Sequence, residues 1–224
     1  MVSQYKNIIL DWDNHTFLLE IIVKTGKCIN FAEKFKPSDF KKKRIISKRE
    51  LTIMNTKDIY LAGGCFWGTE HYFKQIEGVV ETEVGFANGH TENPTYKEVY
   101  TDETGHAETV HVRFDPDKVS LEFLIHMFFK AIDPTSLNKQ GHDEGTRYRT
   151  GIYYTDAEDL PIIDKVYAEE QQQYDQPIVV EKQPLQHFYT AEEYHQDYLD
   201  KNPDGYCHLP LSLFEFARKA KEKK

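Results

Sequence analysis

Cys65 lies within GGCFWGTEHYF (Gly63–Phe73), between two glycines and an aromatic pair. A thiol in this setting can act as a nucleophile. The thiolate is the reactive form, and the N-terminus of a helix favours negative charge because its first N–H groups have no intrahelical partner. IYLA (Ile59–Ala62) reads as a strand, Gly63–Gly64 as a turn and the following residues as a helix, so Cys65 is expected in the helix's first turn with a depressed pKa. The glycines admit another molecule closely, and Phe66 and Trp67 supply apolar walls. A buried structural cysteine is the alternative reading of the same residues.

A nucleophile of this kind needs an acid. In HAETVHVRF (His106–Phe114) strand alternation puts Glu108, Val110, Val112 and Phe114 on one face and Thr109, His111 and Arg113 on the other. Desolvation on an apolar face raises a carboxyl pKa towards neutrality, as a general acid requires. The same position also suits a buried glutamate paired with Arg147 or Arg149, and alternation does not choose between the two.

The elements that must position these groups alternate from residue 58 onward. VVETEVGFA (Val79–Ala87), HAETVHVRF, RYRTGIYYT (Arg147–Thr155) and PIVVEKQPL (Pro177–Leu185) read as strands. A helix after Cys65 should carry Phe66, Thr69, Phe73 and Ile76 on one face. A second, capped by Ser120, repeats Leu121, Leu124, Ile125, Phe128 and Ile132 at helical spacing. Thr155 with Glu158, and Thr190 with Glu193, are spaced as capping boxes that would open two more helices, with Pro161 tolerable in the first turns of the former. The expected class is an α+β or α/β sandwich with helices covering a mixed sheet. His71, His126 and His195 sit on predicted helices and read as surface or packing residues.

Composition bounds the rest. The chain has 224 residues and a formal net charge of -9, which disfavours nucleic acid and anionic membrane surfaces as partners. No run approaches the ~20 apolar residues that span a bilayer, and the first residues lack a signal-peptide pattern. Cys28, Cys65 and Cys207 are too few and scattered for a disulfide framework, which points to a reducing cytoplasm. No CxxC or HExxH spacing suggests a metal site. Residues 1–53 carry 11 Lys or Arg against 6 Asp or Glu. They read as an N-terminal extension without chemistry of its own, with FLLEIIV (Phe17–Val23) as a possible strand and KKKRIISKRE (Lys41–Glu50) as a connector to a catalytic domain of residues 54–224. Met54 is a second plausible translation start.

GCFWG, NPTYKEVY (Asn93–Tyr100), GHAETV (Gly105–Val110), DPTSLNKQGHDEGTRYRT (Asp133–Thr150) and AEEYHQDYLDKNP (Ala191–Pro203) occur in that order. This ordered set resembles the A-type peptide methionine sulfoxide reductases, over roughly residues 57–207. The resemblance implies a ferredoxin-like two-layer α+β sandwich with a mixed sheet, added helices and long loops. It implies reduction of methionine S-sulfoxide, in oxidised proteins and as the free amino acid. No cofactor is expected, and the chain is expected to act as a monomer. By motif position it implies Cys65 as nucleophile, Glu108 as acid, Tyr96 and Tyr148 as hydrogen-bonding partners of the substrate oxygen, Asp143 as a supporting carboxylate, and Phe66 and Trp67 around the substrate methyl group. Cys207, in NPDGYCHLP, matches a resolving cysteine that would form a disulfide with Cys65 for thioredoxin to reduce. Arg147, His142, Phe86 and Ile132 depart from the common Gln, Asn, Tyr and His, and none of these changes removes a proposed catalytic group. Two other readings of the residues are a Cys–His thiol hydrolase using His106 or His195, and a noncatalytic module that holds a thioether against Phe66 and Trp67.

Overall fold

The computed structural model describes residues 56–222, so the expectations for residues 1–53, including the strand Phe17–Val23 and Cys28, lie outside the described residues. Strands β1 (Lys57–Gly63), β2 (Val79–Ala87), β3 (Ala107–Phe114), β6 (Thr150–Tyr154), β7 (Glu181–Pro184) and β8 (Phe188–Thr190) form one sheet in the order β7-β6-β1-β3-β2-β8. Every neighbouring pair is antiparallel except β6–β7, so the sheet is mixed. A separate two-residue ladder joins β4 (Lys139–Gln140) to β5 (Asp143–Glu144).

Period-2 alternation fixes the faces of the sheet. Ile59 and Leu61 of β1, Val84 and Phe86 of β2, and Val110 and Val112 of β3 point into one core. Tyr60, Ala62, Ala87 and Ala107 belong to a second, smaller cluster on the opposite face. Helices cover the first face. Helix α1 (Phe66–Lys74) contributes Phe66, Tyr72 and Phe73. Helix α3 (Leu121–Ala131) contributes Leu124, Ile125 and Phe128, and its N-cap Ser120 accepts the Phe123 N–H as expected. Helix α4 (Leu160–Gln171) adds Ile163 and Val166. Side chains of this size each contribute about 1.5–3 kcal/mol when fully buried. Short helices α2 (Tyr96–Val99) and α5 (Tyr198–Lys201) and the C-terminal α6 (Leu211–Lys219) complete the layer set, and sequence periodicity announced none of the three.

Several sequence expectations are corrected. The strand expected over Arg147–Thr155 is confined to β6, because residues 146–148 close a 3-10 turn after Gly145 and the Arg147 N–H goes to Asp102. Asp156, not Thr155, caps the next helical segment by accepting the Glu158 N–H. That segment begins as a 3-10 turn before α4, with Pro161 in the helix's first turn. Of Pro177–Leu185 only β7 pairs as strand, although Ile178 and Val180 remain in the core. Thr190 opens no helix: it ends β8 opposite Gly85 and its hydroxyl donates to Glu83. Ile76 falls beyond α1 yet is buried. His71 and His126 pair with Asp200 and Glu170, in keeping with surface and packing roles. Among the described residues no helix is long and apolar enough to cross a membrane.

Candidate active site

The site is built where β1 hands over to α1. Gly64, with φ +84, makes the turn, and a side chain there would meet Gln140 Cβ at 2.7 Å. Cys65 is the N-cap of α1, one residue before its first turn, and is 5% exposed. Its carbonyl accepts both the N–H and the hydroxyl of Thr69, which locks the start of the helix. The expected depression of the thiol pKa is reversed. Burial pushes the thiol well above its ordinary value and Glu108 adds to the rise, against the Trp67 and Gly68 N–H groups that favour the thiolate. The helix terminus acts in the expected direction and is outweighed by desolvation.

Glu108 stands on β3 beside this terminus and is 1% exposed. Its Oε2 accepts the backbone N–H of Phe66 at 3.1 Å. Burial raises its carboxyl to about 8, against the Phe66 N–H and the nearby Arg147 charge. Neither arginine weighed from the sequence forms its ion pair. Arg147 binds Asp102 at 2.6 Å, with its guanidinium between the rings of Tyr100 and Tyr148 at 4.2 and 4.3 Å, and Arg149 binds Glu181. Glu108 is therefore a neutral acid at pH 7 rather than half of a buried salt bridge.

Two tyrosines converge on the same spot from different elements. Tyr96 opens α2, which Thr95 and Glu98 close with a capping box, and the Tyr96 N–H is held by Glu192. Tyr148 ends the 3-10 turn before β6. Burial raises both phenols, and the Glu108 and Cys65 charges add to each rise, so all four groups share one environment. Both phenols are thus O–H donors throughout the physiological range.

The wall is aromatic. Phe66 lies 6.4 Å from Trp67 and 6.3 Å from Tyr96, ring centre to ring centre, and Trp67 stacks on Tyr198 at 3.7 Å. The Trp67 indole N–H donates to His195 Nδ1 at 3.0 Å. His195 lies in a 3-10 turn rather than on a helix, is buried and orients this wall. His106 is committed elsewhere, to the Gly89 N–H and the Thr91 carbonyl. The two histidines that a Cys–His hydrolase reading required are both otherwise engaged.

Asp143, on β5, accepts the Tyr206 hydroxyl through Oδ1, while its Oδ2 is buried without a hydrogen-bond partner. Cys207 is brought against the helix that carries Cys65: a Cβ placed on Gly68 would lie 3.0 Å from the Cys207 sulfur. Both thiols are free, and burial raises that of Cys207 as well. Sequence reading overlooked His208. One donor atom each from Cys65, Asp143 and His208 lie within 4.8 Å of one another, close enough to surround a metal ion, although no metal-binding sequence spacing announces the trio. The only signal available beforehand was the position of His208 next to Cys207.

A family profile described as peptide methionine sulfoxide reductase matches residues 57–224. The chain is similar to the peptide methionine sulfoxide reductase MsrA of Clostridium acetobutylicum, 58% identical over 71% of this chain and 98% of the relative. It is similar to that of Lachnoclostridium phytofermentans, 56% identical over 73% of this chain and 99% of the relative. Among solved structures it resembles reduced Mxr1 of Saccharomyces cerevisiae, with TM-score 0.66 and 41% identity over 69% of this chain and 90% of that one. It also resembles methionine sulfoxide reductase A of Corynebacterium diphtheriae, with TM-score 0.63 and 39% identity over 68% and 78% of the two chains.

Proposed function

The chain belongs to the peptide methionine sulfoxide reductase family, and from that premise we propose that it reduces methionine S-sulfoxide, in oxidised proteins and as the free amino acid. The observation that carries this reading is the pairing of a neutral buried acid with a buried thiol at one helix N-terminus. A sulfoxide sulfur is electrophilic only when its oxygen is protonated or strongly hydrogen-bonded. Glu108 supplies the proton, and the Tyr96 and Tyr148 hydroxyls hold the oxygen. Phe66 and Trp67 enclose the methyl group, and Asp143 supports the polar side of the site. Cys65 thiolate attacks, its sulfur is oxidised by two electrons, and methionine leaves with the sulfoxide oxygen retained as a cysteine sulfenic acid. Cys207 then attacks the Cys65 sulfur, a disulfide forms and water leaves. Thioredoxin returns both thiols by exchange.

The βαββαβ succession β1-α1-β2-β3-α3-β6, with those strands ordered β6-β1-β3-β2, supports reading the core as ferredoxin-like, enlarged by β7, β8 and the later helices. Residues 1–53 are read as dispensable for catalysis, and the enzyme as a monomer working in a reducing cytoplasm. The decisive assay is incubation with a mixture of the two methionine sulfoxide epimers and dithiothreitol. Loss of the S epimer alone is expected. Consumption of neither epimer, with hydrolysis of an activated ester instead, would replace this reading by the thiol-hydrolase one.

A further inference from the structure

The Cys65 thiol is protonated in the ligand-free protein and must lose its proton to attack. Glu108 must keep its own proton to act as an acid. Asp143 accepts the Tyr206 hydroxyl through Oδ1 and leaves Oδ2 without a partner, but a carboxylate is a weaker base than an imidazole. His208 has no assigned role, and both of its ring nitrogens are buried without a hydrogen-bond partner.

The backbone around Cys65 is shaped to hold this ring. A Cβ on Gly64 would lie 3.5 Å from His208 Nε2, and a Cβ on Gly68 would lie 3.2 Å from His208 Nδ1. The glycines on either side of Cys65 thus leave the space in which the imidazole sits. A ring nitrogen, the Cys65 sulfur and an Asp143 carboxylate oxygen lie within 4.8 Å of one another. That is one small displacement from a hydrogen-bonded Cys–His–Asp arrangement, and such contacts commonly tighten only when substrate binds.

We propose that His208 is the proton acceptor for the Cys65 thiol, with Asp143 beside it to stabilise the imidazolium. The inference rests on the reductase reading above for the later steps, and for the first on the placement of His208 beside a protonated Cys65 thiol. The S–H bond of Cys65 breaks, its proton moves to the imidazole, and a thiolate remains. Glu108 gives its proton to the sulfoxide oxygen, which ends in the sulfenic acid. When Cys207 attacks the Cys65 sulfur, the displaced hydroxide takes the His208 proton and leaves as water, and the Cys207 thiol proton restores Glu108. No further reactant is needed for this proton circuit. The groups facing His208 are Cys65 from the α1 terminus, Asp143 from β5 with Tyr206 bonded to it, and Cys207 from its own loop, with Glu108 beside Cys65. Burial lowers the ring pKa from its ordinary value, against the Asp143 charge and the Gly63 carbonyl, which lies near the ring without reaching hydrogen-bond geometry, so the imidazole is neutral at pH 7.

The test uses the full chain with Cys28→Ser and Cys207→Ser, leaving one thiol, in the presence of a chelator so that metal binding to the same trio does not intrude. Alkylation of Cys65 by iodoacetamide, and single-turnover release of methionine, are followed from pH 5 to 9. With His208 intact, alkylation should level off through neutrality, above the pH at which the ring loses its proton. In His208→Gln the plateau should vanish, the rate should climb about tenfold per pH unit, and methionine release near pH 7 should fall about 100-fold, the lower range for general-base catalysis. Added imidazole should restore the rate in His208→Gly; if that variant does not fold, the Gln variant carries the comparison. Parallel alkylation profiles with and without His208, within twofold at every pH, overturn the proposal. Alkylation does not involve the sulfoxide. A His208-dependent plateau without any methionine release would therefore refute the reductase reading and keep the Cys–His pair.

Discussion

The backbone N–H of Phe66 donates to Glu108 Oε2 at 3.1 Å, so the residue that follows Cys65 is tied directly to the buried carboxyl. This bond joins the first turn of α1 to the middle of the sheet. It sets the carboxyl beside Cys65. It also explains how one burial event serves two groups: the same dry environment keeps Glu108 protonated and Cys65 uncharged until substrate arrives.

The first consequence is kinetic. Glu108 acts as an acid only while protonated, so kcat/KM should fall as pH rises through about 8. Glu108→Gln keeps the shape and is a far weaker acid. A loss of ~100- to 10,000-fold is expected, typical of a positioned proton donor, and the descending limb near that pH should disappear with it. Steady-state rates across pH 6 to 10 check both, and a limb that survives the substitution would assign it to another group.

The same residue makes a stability prediction of opposite sense. The folded-state pKa of Glu108 is raised above its unfolded value, so the folded protein binds the extra proton and stability falls as pH rises from about 4.5 to about 8. Glu108→Gln removes the buried charge. It should be more stable than the parent at pH 9, by on the order of 5 kcal/mol for a shift from 4.5 to about 8, and nearly equal to it at pH 4. Urea unfolding under reducing conditions at the two pH values measures the difference.

In the ligand-free protein the Cys65 thiol should titrate above the ~8.5 of a free cysteine, because desolvation outweighs the helix terminus. Thiolate absorbance in the ultraviolet, recorded against pH for the variant lacking Cys28 and Cys207, reads this value. A midpoint below that of a free thiol would mean that the helix terminus prevails after all.

Cys207 and the first turn of α1 touch through Gly68. Cys207→Ser should release about one methionine per enzyme without reductant and then stall with thioredoxin, whereas Cys65→Ser should release none. Gly68→Ala presses a methyl group 3.0 Å from the Cys207 sulfur and 3.2 Å from the His208 ring. It should slow disulfide formation several-fold by displacing the loop. Quenched-flow measurement of thiol loss separates this from the first step, and full thioredoxin turnover by Cys207→Ser would remove Cys207 from the cycle.

Deleting residues 1–53 should leave kcat/KM within about twofold, since every group named in the site lies beyond them. A large loss of activity or of soluble yield in the truncated chain would give the extension a role in the catalytic domain.

Much of this was readable along the chain, for local reasons. The alternation in β3 put Glu108 on the apolar face, and the spacing from Leu121 with Ser120 before it marked α3, because strand and helix periods act between near neighbours. The ordered motifs carried the family. What the chain alone did not carry was set by distant contacts. The direction of the Cys65 shift depends on the total burial of one sulfur, to which Glu108 and Asp143 also contribute, and a helix-start pattern reports only the opposing local part. The partner of Arg147 proved to be Asp102, held 45 positions away in sequence, leaving Glu108 uncharged. His208 has no pattern of its own. Only the fold lays its ring into the space between Gly64 and Gly68, because Cys65 and His208, 143 positions apart, meet when the later chain returns to the β1–α1 turn.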